Sequence, residues 1–333
     1  MKNLFLLLTA ILAFNYSILA QSPYVIQSAN KSESKLEEKS IERKFVDDNF
    51  PYLPMNKWKE GMRFILYFSE SSDKDGFLYQ MFPYYKSTKF NSDHIIKDDF
   101  KWKIFTFKYS EYRNDGFLYL IFECEGKKYV YFSNFKEREF AAGNDTYIAG
   151  LDYVDEIDRA KNLLLGKTLY IMDTNWRDPN NTDRGGVTPE EARQYYPVVI
   201  KNIGLSDRTN SQPIKIIFED ESGKEFYKNI KVSNTNNIFC GEINSNRDDI
   251  RNMHLFDNVF SFSDPYLKYP HINIETWHKI QNGDVSIGMT EEECSLSWGK
   301  PKKINISSPG PNQWVYDFGY LYFENSKLVA FNQ

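Results

Sequence analysis

Beyond Phe50 the chain alternates short runs of aromatic and aliphatic residues with clusters of turn formers. Met62 to Phe68, Gly76 to Tyr85, Trp102 to Tyr109, Gly116 to Glu123 and Lys127 to Phe132 read as strands bounded by such clusters. Asp75-Gly76, Asn114-Asp115-Gly116 and Glu125-Gly126-Lys127 supply the turns, and the last closes a hairpin because Gly accepts the backbone angles a tight turn demands. A helix is predicted from Val154 to Leu165, with Asp155, Glu156 and Asp158 at the start, Lys161 near the end and Gly166 as the stop. Pro189 to Arg193 predicts the start of a second, with Thr188 as N-cap and Glu191 at the capping-box position.

The hairpin has a counterpart further on. Ile121-Phe122-Glu123-Cys124-Glu125-Gly126-Lys127 is echoed by Ile217-Phe218-Glu219-Asp220-Glu221-Ser222-Gly223-Lys224, and Gly61 to Leu66 is echoed by Gly166 to Ile171. The repetition predicts two related units of about 100 residues each, 50–150 and 151–262, built as small open barrels or sandwiches of the SH3-like kind. Before them, residues 21–49 carry Ser, Lys, Glu, Asn and Gln with few apolar side chains, a composition expected of a flexible linker.

The first residues have a different pattern. Lys2 precedes an apolar run from Leu4 to Phe14, and Ile18-Leu19-Ala20 precedes Gln21, which predicts a cleavable signal peptide over residues 1–20. Asn15 and Ser17 break the run short of the roughly 18 apolar residues a membrane-spanning helix needs. Gln21 stands where a lipoprotein would carry its acylated Cys, so neither a transmembrane segment nor a lipid anchor is expected in the mature chain. The expectation is an exported protein, periplasmic or extracellular.

Composition sharpens the fold class. Phe 26, Tyr 23 and Trp 6 among 333 residues favour strands over helices, and the length favours more than one core. A net charge of -5 leaves no basic excess to neutralise phosphates, so nucleic acid is not an expected partner. Cys124, Cys240 and Cys294 are odd in number, so one disulfide at most can form within the chain; they read as buried thiols, with a bridge from Cys124 to Cys240 as the alternative.

Residues 279–333 are organised differently. In Ile287-Gly288-Met289-Thr290-Glu291-Glu292-Glu293-Cys294, Thr290 is placed as N-cap with Glu293 three residues on; Trp298-Gly299-Lys300-Pro301 then ends the helix and forbids its continuation. Gln313 to Phe318, Tyr320 to Glu324 and Lys327 to Phe331 follow as an antiparallel meander. This passage, with Trp314-Val315-Tyr316 and Tyr320-Leu321-Tyr322-Phe323-Glu324, resembles the BamE-like (SmpA/OmlA) family of small bacterial envelope domains. The resemblance implies two short helices on an antiparallel sheet, as in β-lactamase inhibitor protein, with Glu275 to Gln281 as the first helix. It also implies a non-enzymatic protein-binding or scaffold role. Members are commonly lipoproteins, and this chain departs from that. The positions carried over, Gly288, Met289, Thr290, Gly299 and Pro301, have structural roles, as do Glu293, Trp314 and Tyr322 beside them.

Candidate chemistry is sparse. His94, His254, His271 and His278 include no pair at metal spacing, and the residues flanking Cys240 form no nucleophile signature, so a Cys240–His hydrolase is the least favoured of three classes. The stretch from Asp173 to Gly186 holds Asp173, Asp178 and Asp183 around Trp176. It lacks the Gly and closing Glu of a calcium loop, and is expected to contact a partner, with Trp176 as the anchor. The surplus of Tyr supports an alternative in which exposed aromatics bind a glycan or peptide. The sequence thus predicts a mainly β protein with an α+β C-terminal domain at 263–333, without cofactor or metal. Its expected partner is a protein of the cell envelope, with a glycan as the alternative.

Overall fold

The computed structural model describes residues 40–67, 81–83, 100–141, 147–173, 176–178, 193–208, 210–238, 240, 254–307 and 309–333. The predicted signal peptide, the linker up to Lys39 and the helix predicted at Pro189 lie outside the described residues. What is described is β-rich: three antiparallel sheets, none closing into a barrel among the described residues.

The described chain opens with a correction. Residues 41–49, expected to end a flexible linker, form helix α1 (Ile41–Asn49). The Ser40 side chain caps it by accepting from Arg43 N–H at 3.0 Å. Glu42 accepts from Phe262 N–H at 2.9 Å and Ser261 hydroxyl at 2.8 Å, and Arg43 pairs with Asp257 at 2.7 Å. Val46 and Phe50 then enter a core shared with Phe218 and Phe256. The polar composition of residues 21–49 as a whole hid an amphipathic turn whose apolar face is complemented more than 200 residues away.

The first sheet comprises β1 (Arg63–Leu66), β2 (Met81–Pro83), β3 (Ile104–Tyr112), β4 (Phe117–Cys124), β5 (Lys127–Lys136) and β6 (Leu151–Tyr153), in the order β2-β5-β4-β3-β1-β6. A short helix, α2 (Glu137–Ala141), lies between the last two strands. The β4–β5 turn is the one the sequence predicts: Glu125 and Gly126 have φ of 50° and 73°, the left-handed pair that matches strand twist. Leu118, Leu120 and Phe122 face one core with Phe64 and Trp58, while Tyr119 and Ile121 face the other side with Val130. Strand β6 moves a predicted boundary. Leu151 and Tyr153 pair with Leu66 and Phe64 and point into the first core, so this sheet extends through Tyr153 rather than ending at 150.

Helix α3 (Val154–Leu164) leads into the second sheet: β7 (Thr168–Ile171), β8 (Tyr196–Arg208), β9 (Gln212–Glu219), β10 (Glu225–Ile230) and, after helix α4 (Phe256–Val259), β11 (Phe260–Ser261), in the order β10-β9-β8-β7-β11. Both sheets share one succession. Three consecutive strands form a meander, the first strand of the unit lies beside it, and the last returns to pair with the first. The long β8 escapes the sequence pattern because register shifts at Ile200/Asn202 and Leu205/Arg208 break its two-residue alternation.

A buried seam of asparagines joins the two units. Asn210 donates to the Ile148, Leu151 and Asn236 carbonyls and accepts from Gly150 N–H at 2.6 Å. Asn236 accepts from Ile148 N–H at 2.6 Å, and Asp152 accepts from Asn210 N–H at 2.7 Å.

Helices α5 (Pro265–Lys268), α6 (Ile274–Asn282) and α7 (Glu291–Trp298) precede the third sheet, β12 (Lys303–Asn305), β13 (Asn312–Val315), β14 (Tyr320–Glu324) and β15 (Lys327–Asn332), ordered β12-β13-β14-β15. Trp277, Ile280 and Cys294 from the helices meet Leu321, Phe323 and Leu328 from the sheet. Gln194 ties this unit to the second, its N–H donating to Gln281 O and its side chain to Ser297 O, both at 2.8 Å.

Candidate functional site

The site forms where the Trp176 segment meets the free edge of the second sheet. β10 is the edge strand, and its exposed backbone groups are taken up by Arg177: Arg177 N–H donates to Tyr227 O at 3.0 Å and Tyr227 N–H to Arg177 O at 2.8 Å. Trp176 anchors this bridge from below. It is 1% exposed, its indole meets Phe226 and Phe218 edge-on at 5.3 and 5.6 Å, and its Nε1–H donates to Asp173 O. The expectation of Trp176 as a partner contact is therefore corrected: a side chain this buried belongs to the core, and its flanks are what reach the surface.

The acidic residues proposed beside it are engaged by lysines. Asp173 pairs with Lys228 at 2.6 Å and Asp178 with Lys224 at 3.5 Å, while Asp183 lies outside the described residues. No group of carboxylates, His or Cys placed to hold a metal occurs among the described residues.

Arg177, Arg208, Gln212, Tyr227, Lys228, Asn229 and His254 line a cavity of about 190 Å³ that is polar and open on one side. β10 supplies three of them. Phe226, Lys228 and Ile230 share the core-facing parity, opposite Phe218, Ile216 and Ile214, so a lysine sits where an apolar residue is the rule. Lys228 is 5% exposed and depends on Asp173 for its counter-charge. Just behind, Lys231 is fully buried, with Nζ donating to Asn234 Oδ1 at 3.0 Å. Arg208 ends β8 and Gln212 begins β9, at the turn that Asn210 fastens to the first unit. His254 has φ 61°, and its carbonyl accepts from Lys231 N–H. Burial, reinforced by Lys228, holds its pKa below the ordinary 6.5, so the ring is neutral at pH 7.

The charges do not balance. Asp173 and Asp207 offset the two lysines, whereas the guanidiniums of Arg177 and Arg208 have no hydrogen bond or ion pair among the described residues. Asn229 adds a second unmet demand. Its amide donates to Asp207 at 2.9 Å, yet its Oδ1 is buried with no partner. A partly enclosed pocket with surplus guanidinium charge attracts an anion, because desolvation strengthens each charge-assisted bond.

The C-terminal motif residues hold structure. Thr290 and Glu293 form the expected reciprocal cap, Thr290 Oγ1 accepting from Glu293 N–H at 3.1 Å and Glu293 from Thr290 N–H at 2.6 Å. Gly288 and Gly299 have φ of 93° and 78°, and Pro301 follows the helix end. Met289 and Trp314 are buried, and Tyr322 hydroxyl accepts from Gln313 at 3.0 Å.

Cys124, Cys240 and Cys294 are buried and none is in a disulfide, so the bridge from Cys124 to Cys240 is not formed. Burial first, and then Glu293 and Glu291, push the Cys294 thiol up to about 12. Cys240 is 1% exposed, and His271 is 2.7 Å from Glu292 on the C-terminal unit.

Of the pocket residues, the sequence reading reached only the Trp176 stretch. Lys228 between Phe226 and Ile230 was the available signal, a charged residue at core parity in a strand. Comparison with family models, curated proteins and solved structures finds no match.

Proposed function

We propose that the protein is an exported, non-enzymatic binding protein or scaffold of the bacterial cell envelope that engages an acidic group on its partner through the cationic pocket. The observation that carries this reading is the pair of guanidiniums, Arg177 and Arg208, left without counter-charge at a cavity already holding Lys228. In the same reading the first two sheets are SH3-like units related by duplication, as their shared strand succession supports. The third unit is BamE-like and meets a protein partner, which its sequence resemblance and its two helices on an antiparallel sheet support. Hydrolysis through Cys240 is disfavoured by the closure of that thiol to substrate.

Two measurements test the proposal. N-terminal sequencing of the native protein from outside the cytoplasm should begin at Gln21, whereas an unprocessed cytoplasmic chain overturns the export reading. Capture from an envelope extract should retain a specific protein with the parent, lose it when residues 263–333 are removed, and show weaker, salt-insensitive retention with R177Q/R208Q. Retention indifferent to both changes overturns the binding reading.

A further inference from the structure

From the lining of the pocket we infer that its ligand is a sugar acid, a hexuronate residue of an acidic polysaccharide, with the carboxylate on the arginines and a ring hydroxyl on Asn229. This rests on the anion-binding reading above and narrows it to a ligand class.

Two demands have to be met together. Arg177 and Arg208 offer planar N–H forks that suit the two oxygens of a carboxylate. Asn229 requires the opposite, since its amide N–H is committed to Asp207 at 2.9 Å and the buried Oδ1 lacks a donor. Asn229 is 7% exposed, so water does not freely satisfy that oxygen. An anion without hydroxyls, such as sulfate or acetate, meets the first demand and leaves the second. A neutral sugar does the reverse. A carboxylate carrying hydroxyl donors on adjacent carbons meets both, and Gln212, which can donate and accept, suits the same pattern.

Size and surroundings agree. About 190 Å³ is below the roughly 300 Å³ at which sites for drug-sized ligands begin, so one ring with its carboxylate fits while a polymer continues outward through the open side. Tyr227 contributes a half-buried ring held in place by Lys215, whose Nζ lies 4.5 Å from the ring centroid. His254, neutral at pH 7, adds a ring nitrogen that hydrogen-bonds a hydroxyl without adding charge.

The test is calorimetric titration of the purified protein at pH 7 and low salt with a galacturonic acid trimer. Parallel titrations use a neutral galactose trimer, acetate, sulfate and a glutamate-rich peptide. The expected result is galacturonate binding at least tenfold tighter than any of the others. It should weaken at least tenfold in R177Q and in R208Q, whose side chains hold no internal contact to lose. N229A should lower affinity for the galacturonate trimer and leave that for acetate unchanged. If acetate and sulfate bind as well as galacturonate and lose affinity in the arginine variants, the sugar-acid inference is overturned while the anion pocket stands. Binding of the peptide without the sugar acid likewise overturns it, in favour of an acidic protein partner. If nothing binds and the arginine variants match the parent, the anion-binding reading itself falls.

Discussion

Asn210 and Asn236 lie against each other at the junction of the first two units, the amide of Asn210 donating to the Asn236 carbonyl at 2.9 Å. Both hold left-handed backbone, with φ of 57° and 47°, a conformation Asn tolerates better than most residues. Each therefore does two things at once: it makes the turn, and it satisfies backbone groups of the 148–151 segment across the junction. The SH3-like units expected from the sequence are thereby joined as one body through buried polar contacts rather than through an apolar interface.

Removing this contact is expected to be costly. Asn210→Gly keeps the backbone conformation but strips the acceptor from Gly150 N–H and the donor from three carbonyls. A loss of about 2–3 kcal/mol in urea unfolding is expected, since each buried group left unpaired costs about 1–3 kcal/mol. Asn210→Ala should lose about 1 kcal/mol more from left-handed strain. Equal stability of parent and Asn210→Gly would show that water replaces the seam.

Trp176→Ala is expected to destabilise by about 3–5 kcal/mol, as for other large aromatic deletions in cores. Trp176→Phe, which keeps a ring against Phe218 and Phe226, should cost much less. A partner-contact role predicts the opposite pattern: unchanged unfolding for both and a loss of binding. Chemical denaturation of the two variants separates these outcomes.

Thr290→Ala should cost about 1 kcal/mol, the usual worth of an N-cap hydroxyl, and Thr290→Ser close to nothing. The reciprocal bond from Thr290 N–H to Glu293 predicts a smaller loss for Glu293→Gln than for Glu293→Ala. Thermal unfolding checks both pairs.

What the sequence disclosed depended on how local the cause was. The Thr290–Glu293 cap, the Glu125-Gly126 turn and the helix from Val154 are set by residues within a few positions, and all are read correctly from the chain. Helix α1 was missed because its stability comes from Phe256, Phe262 and Asp257, invisible in the local composition. The pocket was missed for the same reason. Its charges come from three strands and two loops that only the second sheet assembles, and its clearest local sign, Lys228 at a core-facing position, becomes readable once the register with β9 is known. Trp176 was recognised as unusual and placed on the wrong side of the surface, because an aromatic in a polar loop looks the same in sequence whether it points outward or inward.

Glu156 illustrates how far such non-local effects reach into solution behaviour. In the sequence it is one of three acids suited to a helix start; in the structure it is 4% exposed, accepting from Ser233 hydroxyl at 2.6 Å. Burial pushes its pKa from the ordinary 4.5 up to about 8; the Ser233 and Thr235 hydroxyls and Arg159 oppose the rise and Asp155 adds to it. The folded state therefore holds a proton that the unfolded chain has lost between about pH 4.5 and 8. Stability from this group is fully present below pH 4.5, declines through that window, and is gone above about pH 8, where the folded protein must carry a buried carboxylate. Glu156→Gln keeps the shape and removes the proton. It should match the parent near pH 4.5 and exceed it at pH 9 by on the order of 2 kcal/mol or more, one pKa unit being worth about 1.4 kcal/mol. Urea midpoints of both proteins from pH 5 to 9 decide the matter. Parallel curves would mean that Glu156 ionises as a surface carboxylate does, and that the contact between α3 and the Ser233–Thr235 turn is open to water.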